Sequence, residues 1–556
     1  MLDVDTVGEV WRAGGIGAVK VIVVGSGPSG VHFALTALRR NHRVVMLDVG
    51  GTKPDALLPH ENFLGLKRRA PDPAGYFLGK EFGAINLPGP GSKEYYGLPP
   101  SKDYVFERPS RFSSEEYGLT PLVSFAAGGL AEAWTGGSYP LNEHELREFP
   151  FGYQDIAPHY AEVAARIGVA GGNDDLSAYF PVHDHLSPML QLDESGARLL
   201  AAYEKRRDRL TTKYKARLGR SRQAVLSHAL GDRQPCISCG RCLWGCPNGA
   251  FYTPSLTLRQ CLTHANFEYI PKVFVSHLEL APSGAIERIV SFDLRSGQEA
   301  RQTADAYVLA CGAISTSNLV LRSVYRSRKE IIRLGGLMDN RQILAPFCNL
   351  AMLGRSHNSQ SYQYHQLALG IETGAPDRYV HGQITTLKTA TTHPIFRNLP
   401  LDLKSSIGVF RNLRSSLAVL NLNFCDWRRE QNFLTLSEKR KDADGWPVLS
   451  ICYRPPSGER ETMRSACATA RGFFRELGAP FIPGMLKIRP MGSSVHYAGT
   501  LPMSAERRAW AVSPTCQSYD IDNLFVVDGA VMPFLPAKNL TFTLMANAVR
   551  VAQTAF

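Results

Sequence analysis

No uninterrupted apolar stretch of about eighteen residues occurs in the 556-residue chain, which excludes a hydropathic membrane-spanning helix. The nearest candidate, residues 19–38, is broken by Lys20, three glycines, Pro28 and His32. The N-terminus lacks a basic segment running into an apolar one with a small-residue cleavage site. No secretory signal is read, and a cytoplasmic location is the expectation. Internal repeats and low-complexity linkers are missing, which argues against a solenoid. A basic stripe on a recognisable nucleic-acid module is missing too, so no nucleic-acid partner is expected. Lys and Arg do outnumber Asp and Glu by 62 to 50, but the excess is spread along the chain. Its local concentrations, at 205–222 and 322–333, read as solvated faces or as the rim of a site for polar ligands. Paired cysteines are not the framework either: eleven is an odd count, and seven of them are scattered, unlike a disulfide-framed secreted fold.

What is present is a globular composition, 44% hydrophobic, and one strong pattern near the start. Residues 19–24 read VKVIVV, a buried strand of a parallel sheet. Gly25-Ser26-Gly27-Pro28-Ser29-Gly30 follows, then a helical pattern over 31–40, a second strand over 43–47, and Asp48. Gly25 permits a tight turn, Gly27 lets the backbone approach a pyrophosphate, and Gly30 lets helix and strand pack closely. The helix N-terminus then faces the phosphates. Asp48, 18 residues beyond Gly30, stands where a carboxylate accepts from ribose hydroxyls. The fingerprint predicts a dinucleotide site and leaves FAD and NAD both open.

Further along, residues 50–125 are rich in Pro, Gly and Tyr and predict a long excursion over the surface, as a lid or cofactor cover. Helices are expected over 153–168, 195–218, 459–477 and 540–554, and from Ser315 onward. Strands are expected over 267–274, 286–294, 306–309, 415–424 and 524–527. The economical arrangement is an α/β fold. A Rossmann-like cofactor domain drawn from both chain ends (1–150, 225–330 and 485–556) carries an inserted α+β substrate domain with an antiparallel sheet (151–224 and 331–484).

The C-terminal residues bring a family into view. His496-Tyr497-Ala498-Gly499-Thr500, then Asp528-Gly529, then Asn539-Leu540-Thr541, taken with Gly25–Gly30 and Asp48, resemble the glucose–methanol–choline (GMC) flavoprotein oxidoreductases. Gly128-Gly129 with Trp134-Thr135-Gly136-Gly137 resembles the family's second glycine motif, and residues 150–168 and 308–321 resemble further family segments. The resemblance implies FAD and hydride removal from a CH–OH group. Carried over by position, Gly25, Ser26, Gly27, Gly30 and Asp48 would hold the ADP half, with the backbone of Val273 at the adenine. Gly128, Gly129 and Trp134 would approach the flavin, and Asp528, Gly529 and Thr541 would close over it. His496 is the candidate base, and Asn539 would hold the substrate oxygen. A neutral histidine suits proton abstraction near pH 7. His32, His228 and His365 lack such context and are read as structural. The chain departs from the family's pattern in Gly129-Leu130-Ala131, in Asp48 and in Leu540. No histidine stands beside Gly128 in the arrangement that signals covalent flavin, which implies non-covalent FAD.

Four cysteines, Cys236, Cys239, Cys242 and Cys246, fall within eleven residues with ferredoxin-like spacing and are followed by Pro247. An iron–sulfur cluster, a zinc site and metal-free thiols are the open readings. The expected activity is FAD-dependent oxidation of an alcohol, with a polyol, sugar or sugar-derived substrate suggested by the polar segment 341–392. A lyase-type relative without net oxidation, a non-catalytic flavin-binding or electron-transfer subunit, and NAD in place of FAD are the alternatives. The electron acceptor (oxygen, a quinone or a redox protein) is left open.

Overall fold

A computed structural model describes residues 17–52, 62–79, 82, 99–356, 358, 360–362, 364–375, 377–387 and 400–556. The apolar run near the start becomes β1 (Lys20–Val24) at the centre of a five-stranded parallel sheet. Its branched side chains have no solvent side to face: Val21, Ile22 and Val23 are fully buried. On one flank lies β2 (Arg43–Leu47), followed by β3 (Phe267–Ile270). On the other lies β4 (Ala306–Leu309), followed by the strand Leu524–Val526. Strands from both ends of the sequence therefore share one sheet.

Helix α1 (Pro28–Arg39) starts on Pro28, where the missing N–H has no intrahelical partner to lose. It packs against the C-terminal helix, Thr541–Thr554. That helix also packs on Tyr153–Ile167, whose Ile156, Tyr160 and Val163 are fully buried in the same core. The expected strand over 267–274 is two strands. The chain turns at Pro271-Lys272, with Lys272 at φ 62°, and Val273–Leu280 leaves to pair antiparallel with Ile286–Asp293.

The helix expected over 195–218 is also divided, into Glu194–Glu204 and Arg207–Tyr214. Lys215, at φ 49°, turns the chain, and Ala216–Arg220 becomes the edge of a six-stranded antiparallel sheet. From that edge the order runs through β6 (Leu367–Ile371), β7 (Val380–Thr386), β8 (Leu417–Asn423) and β5 (Gln342–Cys348) to Lys487–Ile488. Successive side chains alternate across this sheet. Ile343, Ala345 and Phe347 of β5, Ile384 of β7, and Ala418, Leu420 and Leu422 of β8 enter a second core with the helix Glu459–Glu476. Gln342, Gln383, Thr385, Val419 and Asn421 line the other face, on a cavity.

Of the expected excursion over 50–125, residues 53–61, 80–81 and 83–98, including Tyr95 and Tyr96, lie outside the described residues. Within the rest stand two short helices, Phe63–Arg69 and Pro73–Leu78. The last residues of the polar segment 341–392, from 388 on, are likewise outside them. No helix among the described residues is long and apolar enough to cross a membrane.

Candidate active site

The cavity, about 790 Å³, runs from the C-terminal ends of β1, β2 and β4 to the polar face of the six-stranded sheet. That is the edge at which open parallel sheets bind ligands. At its first end the glycine turn and the second glycine pair lie against each other. Gly25, at φ 97°, is in the left-handed region, and a Cβ there would meet the Ala310 carbonyl oxygen at 2.7 Å. A Cβ on Gly129 would stand 3.3 Å from the Gly27 Cα, in the gap between the two loops. Ser26 ties them together: its hydroxyl donates to the Asp48 carboxylate and accepts from the Gly128 amide at 2.9 Å. Tyr269 also donates to Asp48, at 3.2 Å. Burial pushes the Asp48 carboxyl up to about 6.

Gly25, Ser26, Gly27, Asp48, Gly129, Trp134, Val273, Asp528, Gly529, His496, Asn539 and Thr541 all line this one cavity. Gly30 and Gly128 stand behind its wall. Gly30 packs against the Gly25 carbonyl and Ala310, and Gly128 holds Ser26 through its amide. The Asp528 carboxylate is directed into its own turn. It accepts from the amides of Gly312 and Ala530, each at 2.9 Å, and from Thr316 at 2.5 Å. The residues present fit a bound dinucleotide: a helix N-terminus at the glycine turn, side-chain-free approaches at Gly25 and Gly129, a buried acid at the end of β2, and room for a long ligand.

At the far end, the residues before His496 are held by a buried carboxylate. Asp339 accepts from the Gly492 amide at 2.5 Å and from the Ser494 hydroxyl. Ser494 Oγ accepts from the His496 amide at 2.9 Å. Val495, between them, sits at φ 56°, a conformation that branched residues rarely take and that marks functional turns. Met338–Asp339 pairs with Tyr497–Ala498, which sets Asn340 beside the imidazole. His496 Nδ1 lies 2.9 Å from Asn340 Oδ1, and Nε2 lies 3.3 Å from Asn539 Nδ2. Asn539 Oδ1 in turn accepts from Gln383 Nε2 at 2.5 Å. Burial lowers the His496 pKa to about 4, so the ring is neutral at physiological pH, as a proton acceptor must be.

The structure adds residues that carry no sequence motif. His365, read above as structural, lines the cavity, and its Nδ1 has no hydrogen-bond partner among the described residues. The same holds for Oδ1 of Asn421. Asn421 faces Gln383 across the β7–β8 register.

The cysteine loop corrects an expectation. Among the described residues, no group of three or more His, Cys, Asp or Glu side chains converges as metal ligands would. Cys236 and Cys246 direct their sulfurs at the amides of Ser238 and Phe251, each at 3.4 Å. Both pack on an apolar cluster that includes Leu226, Phe251 and Tyr362. Burial pushes the Cys236 and Cys239 thiols up. An iron–sulfur or zinc centre on Cys236, Cys239, Cys242 and Cys246 is therefore not supported.

Residues 428–548, which contain His496, Asp528, Asn539 and Thr541, match the family model described as GMC oxidoreductase. Over that segment the chain is similar to this family. The chain is 25% identical to the paromamine 6'-oxidase of Streptomyces fradiae over 96% of its own length and 90% of that protein. It is 22% identical to the fructose dehydrogenase large subunit of Gluconobacter japonicus over 96% and 97% of the two chains. Its fold matches a formate oxidase of Aspergillus oryzae RIB40, described in connection with FAD modification. That match has a TM-score of 0.61 and 12% identity, over 97% of this chain and 98% of the other. The chain is thus an enzyme whose relatives are named oxidases and dehydrogenases.

Proposed function

We propose that this chain is a GMC oxidoreductase that binds FAD and oxidises a CH–OH group of a hydroxyl-rich small molecule, a polyol, a sugar or a sugar-derived alcohol, with His496 as the base. The observation that carries the reading is the 3.3 Å pair of His496 Nε2 and Asn539 Nδ2 on the wall of the same cavity that holds Gly25–Gly27 and Asp48. Bound between the glycine turn and this pair, FAD would supply the hydride acceptor that no side chain can provide. The roles of the chain's own residues follow from their positions. Backbone around Gly25, Gly27 and Gly129 receives the pyrophosphate, Asp48 takes ribose hydroxyls, and Asp528 holds the turn that carries Gly529. Asn539 donates to the substrate oxygen while His496 Nε2 takes its proton.

The hydroxyl-rich class is supported by polar atoms on the cavity wall. Asn421 Oδ1, an acceptor, and His365 Nδ1 are buried and unpaired, a cost of about 1–3 kcal/mol each that ligand hydroxyls, able both to donate and to accept, would recover. The named relatives point the same way, one on paromamine and one on fructose. The division into a cofactor domain (1–150, 225–330, 485–556) and a substrate domain (151–224, 331–484) is proposed with the six-stranded sheet as the core of the second.

The test is anaerobic flavin bleaching by a panel of alcohols and sugars. His496→Ala is expected to keep its FAD and to slow reduction by about 10²- to 10⁴-fold. Reduction at the parent rate in that variant overturns His496 as base. A parent enzyme that binds FAD and is bleached by no alcohol overturns the oxidase reading in favour of a lyase-type or electron-transfer role.

A further inference from the structure

The hydrogen bonds through His496 run in one direction, and Asn340 sets it. Asn340 Nδ2 donates to two backbone carbonyls, Phe424 O at 2.8 Å and Pro536 O at 2.9 Å. A carbonyl only accepts, so both amide hydrogens are committed and the side chain cannot flip. Oδ1 is the atom left to meet the imidazole, at 2.9 Å. It too only accepts, so Nδ1 must donate and therefore carries the proton of the neutral ring. The other end of the ring agrees. Nε2 meets the Nδ2 of Asn539, a donor whose Oδ1 is already engaged by Gln383.

We propose that Asn340 is a positioning residue that locks His496 in its Nδ1–H tautomer and so presents the Nε2 lone pair to the cavity. The inference rests on His496 being the base. The reverse tautomer would place N–H at Nε2, where no proton can be accepted. In the working form, the substrate O–H bond breaks and its proton goes to Nε2, while Nδ1–H stays on Asn340. The ring then carries one positive charge, met by an amide oxygen and not by a carboxylate. That arrangement orients the base without making it a strong one, in contrast to the carboxylate-backed histidine of a hydrolytic triad. The titratable groups around the ring are His381, itself neutral through burial beside Lys538 and His365, and Asp339 behind Ser494. Lys538 is paired with Glu145 at 2.6 Å.

The test uses holoenzyme with ¹⁵N-labelled histidine, the His496 signals being identified by their loss in His496→Asn. Expected is a protonated Nδ1 and a lone-pair Nε2 in the parent protein. Asn340→Ala should mix the tautomers and lower kcat/KM by about 10- to 100-fold, with FAD content and KM largely kept. Asn340→Asp should retain the acceptor and the Nδ1–H form. Its carboxylate should also move the acid limb of the pH–rate profile to higher pH, because it stabilises the imidazolium. A parent spectrum showing Nε2–H overturns the proposal. So does an Asn340→Ala variant that keeps the parent tautomer and pH profile. If Asn340→Ala fails to fold, the parent spectrum alone decides. A parent protein with the Nδ1–H tautomer but no alcohol-driven bleaching supports the lock and refutes the assigned reaction, so the two failures stay distinguishable.

Discussion

Asn421 shows what a single side chain can do on the cavity wall and why sequence alone passes over it. Its amide oxygen is buried and unpaired, opposite Gln383, and Gln383 in turn holds Asn539. A substrate hydroxyl donating to Asn421 would satisfy it without touching the proton-transfer pair. Asn421→Leu is therefore expected to raise KM for a polyol or sugar by about 5- to 30-fold, the worth of one hydrogen bond to a buried acceptor. FAD content and kcat should stay near parent values. Steady-state kinetics check this, and an unchanged KM with a lowered kcat would move Asn421 from binding to chemistry. Asp48 is legible in the sequence because a glycine turn and a strand–helix–strand pattern precede it at short spacing, whereas His496 and Asn539 are legible only through the resemblance of the segments around them to the GMC family. Asn340, Gln383, Asn421 and His365 have no such neighbours. They are amides and a histidine on strands and loops, and only the register of the folded sheet and the Met338–Asp339 bridge bring them to the site.

At the scale of elements, β8 divides its work by parity. Leu420 is fully buried among the second core's side chains, whereas Val419 faces the cavity. Leu420→Ala should cost about 2–5 kcal/mol, the transfer and cavity cost of a buried leucine, measured by chemical denaturation of the holoenzyme. Val419→Ala should leave stability nearly unchanged and alter KM instead. Equal losses of stability from both would contradict the two-faced strand. This alternation is readable from the sequence because a period of two needs no partner to be recognised. The failures at 195–218 and 267–274 have the opposite character. Both are runs whose local pattern is continuous but whose backbone turns at a lysine with positive φ, Lys215 and Lys272. Past each lysine, pairing with a distant strand overrides local propensity: Ala216–Arg220 joins β6, and Val273–Leu280 joins Ile286–Asp293.

At the scale of the whole molecule, assembling a site from both ends of the chain buries ionisable groups on a large scale, and this sets how stability depends on pH. His183, His277, His365 and His496 are each lowered to about 4, and His32 and His381 are lowered well below the ordinary value, all chiefly by burial. In the unfolded chain these rings take up protons near pH 6.5, while the folded protein keeps them neutral. Their contribution to stability is therefore present above about pH 6.5 and is lost as pH falls toward 4. Acids raised by burial act in the opposite sense, Glu145, Asp174 and Asp426 among them. Asp48 and Asp528 are raised to about 6 and Asp339 to about 7, so their contribution is present below the unfolded carboxylate range and is lost as pH rises through 6 to 7. Burial lowers His42 and His159 as well, so between pH 6 and 5 the lowered histidines outnumber the raised acids, the unfolded state binds more protons than the folded one, and stability falls on acidification. Thermal unfolding of the holoenzyme is expected to show a Tm lower at pH 5 than at pH 6.5. A flat or rising Tm over that interval would contradict an excess of neutral buried histidines in the folded protein.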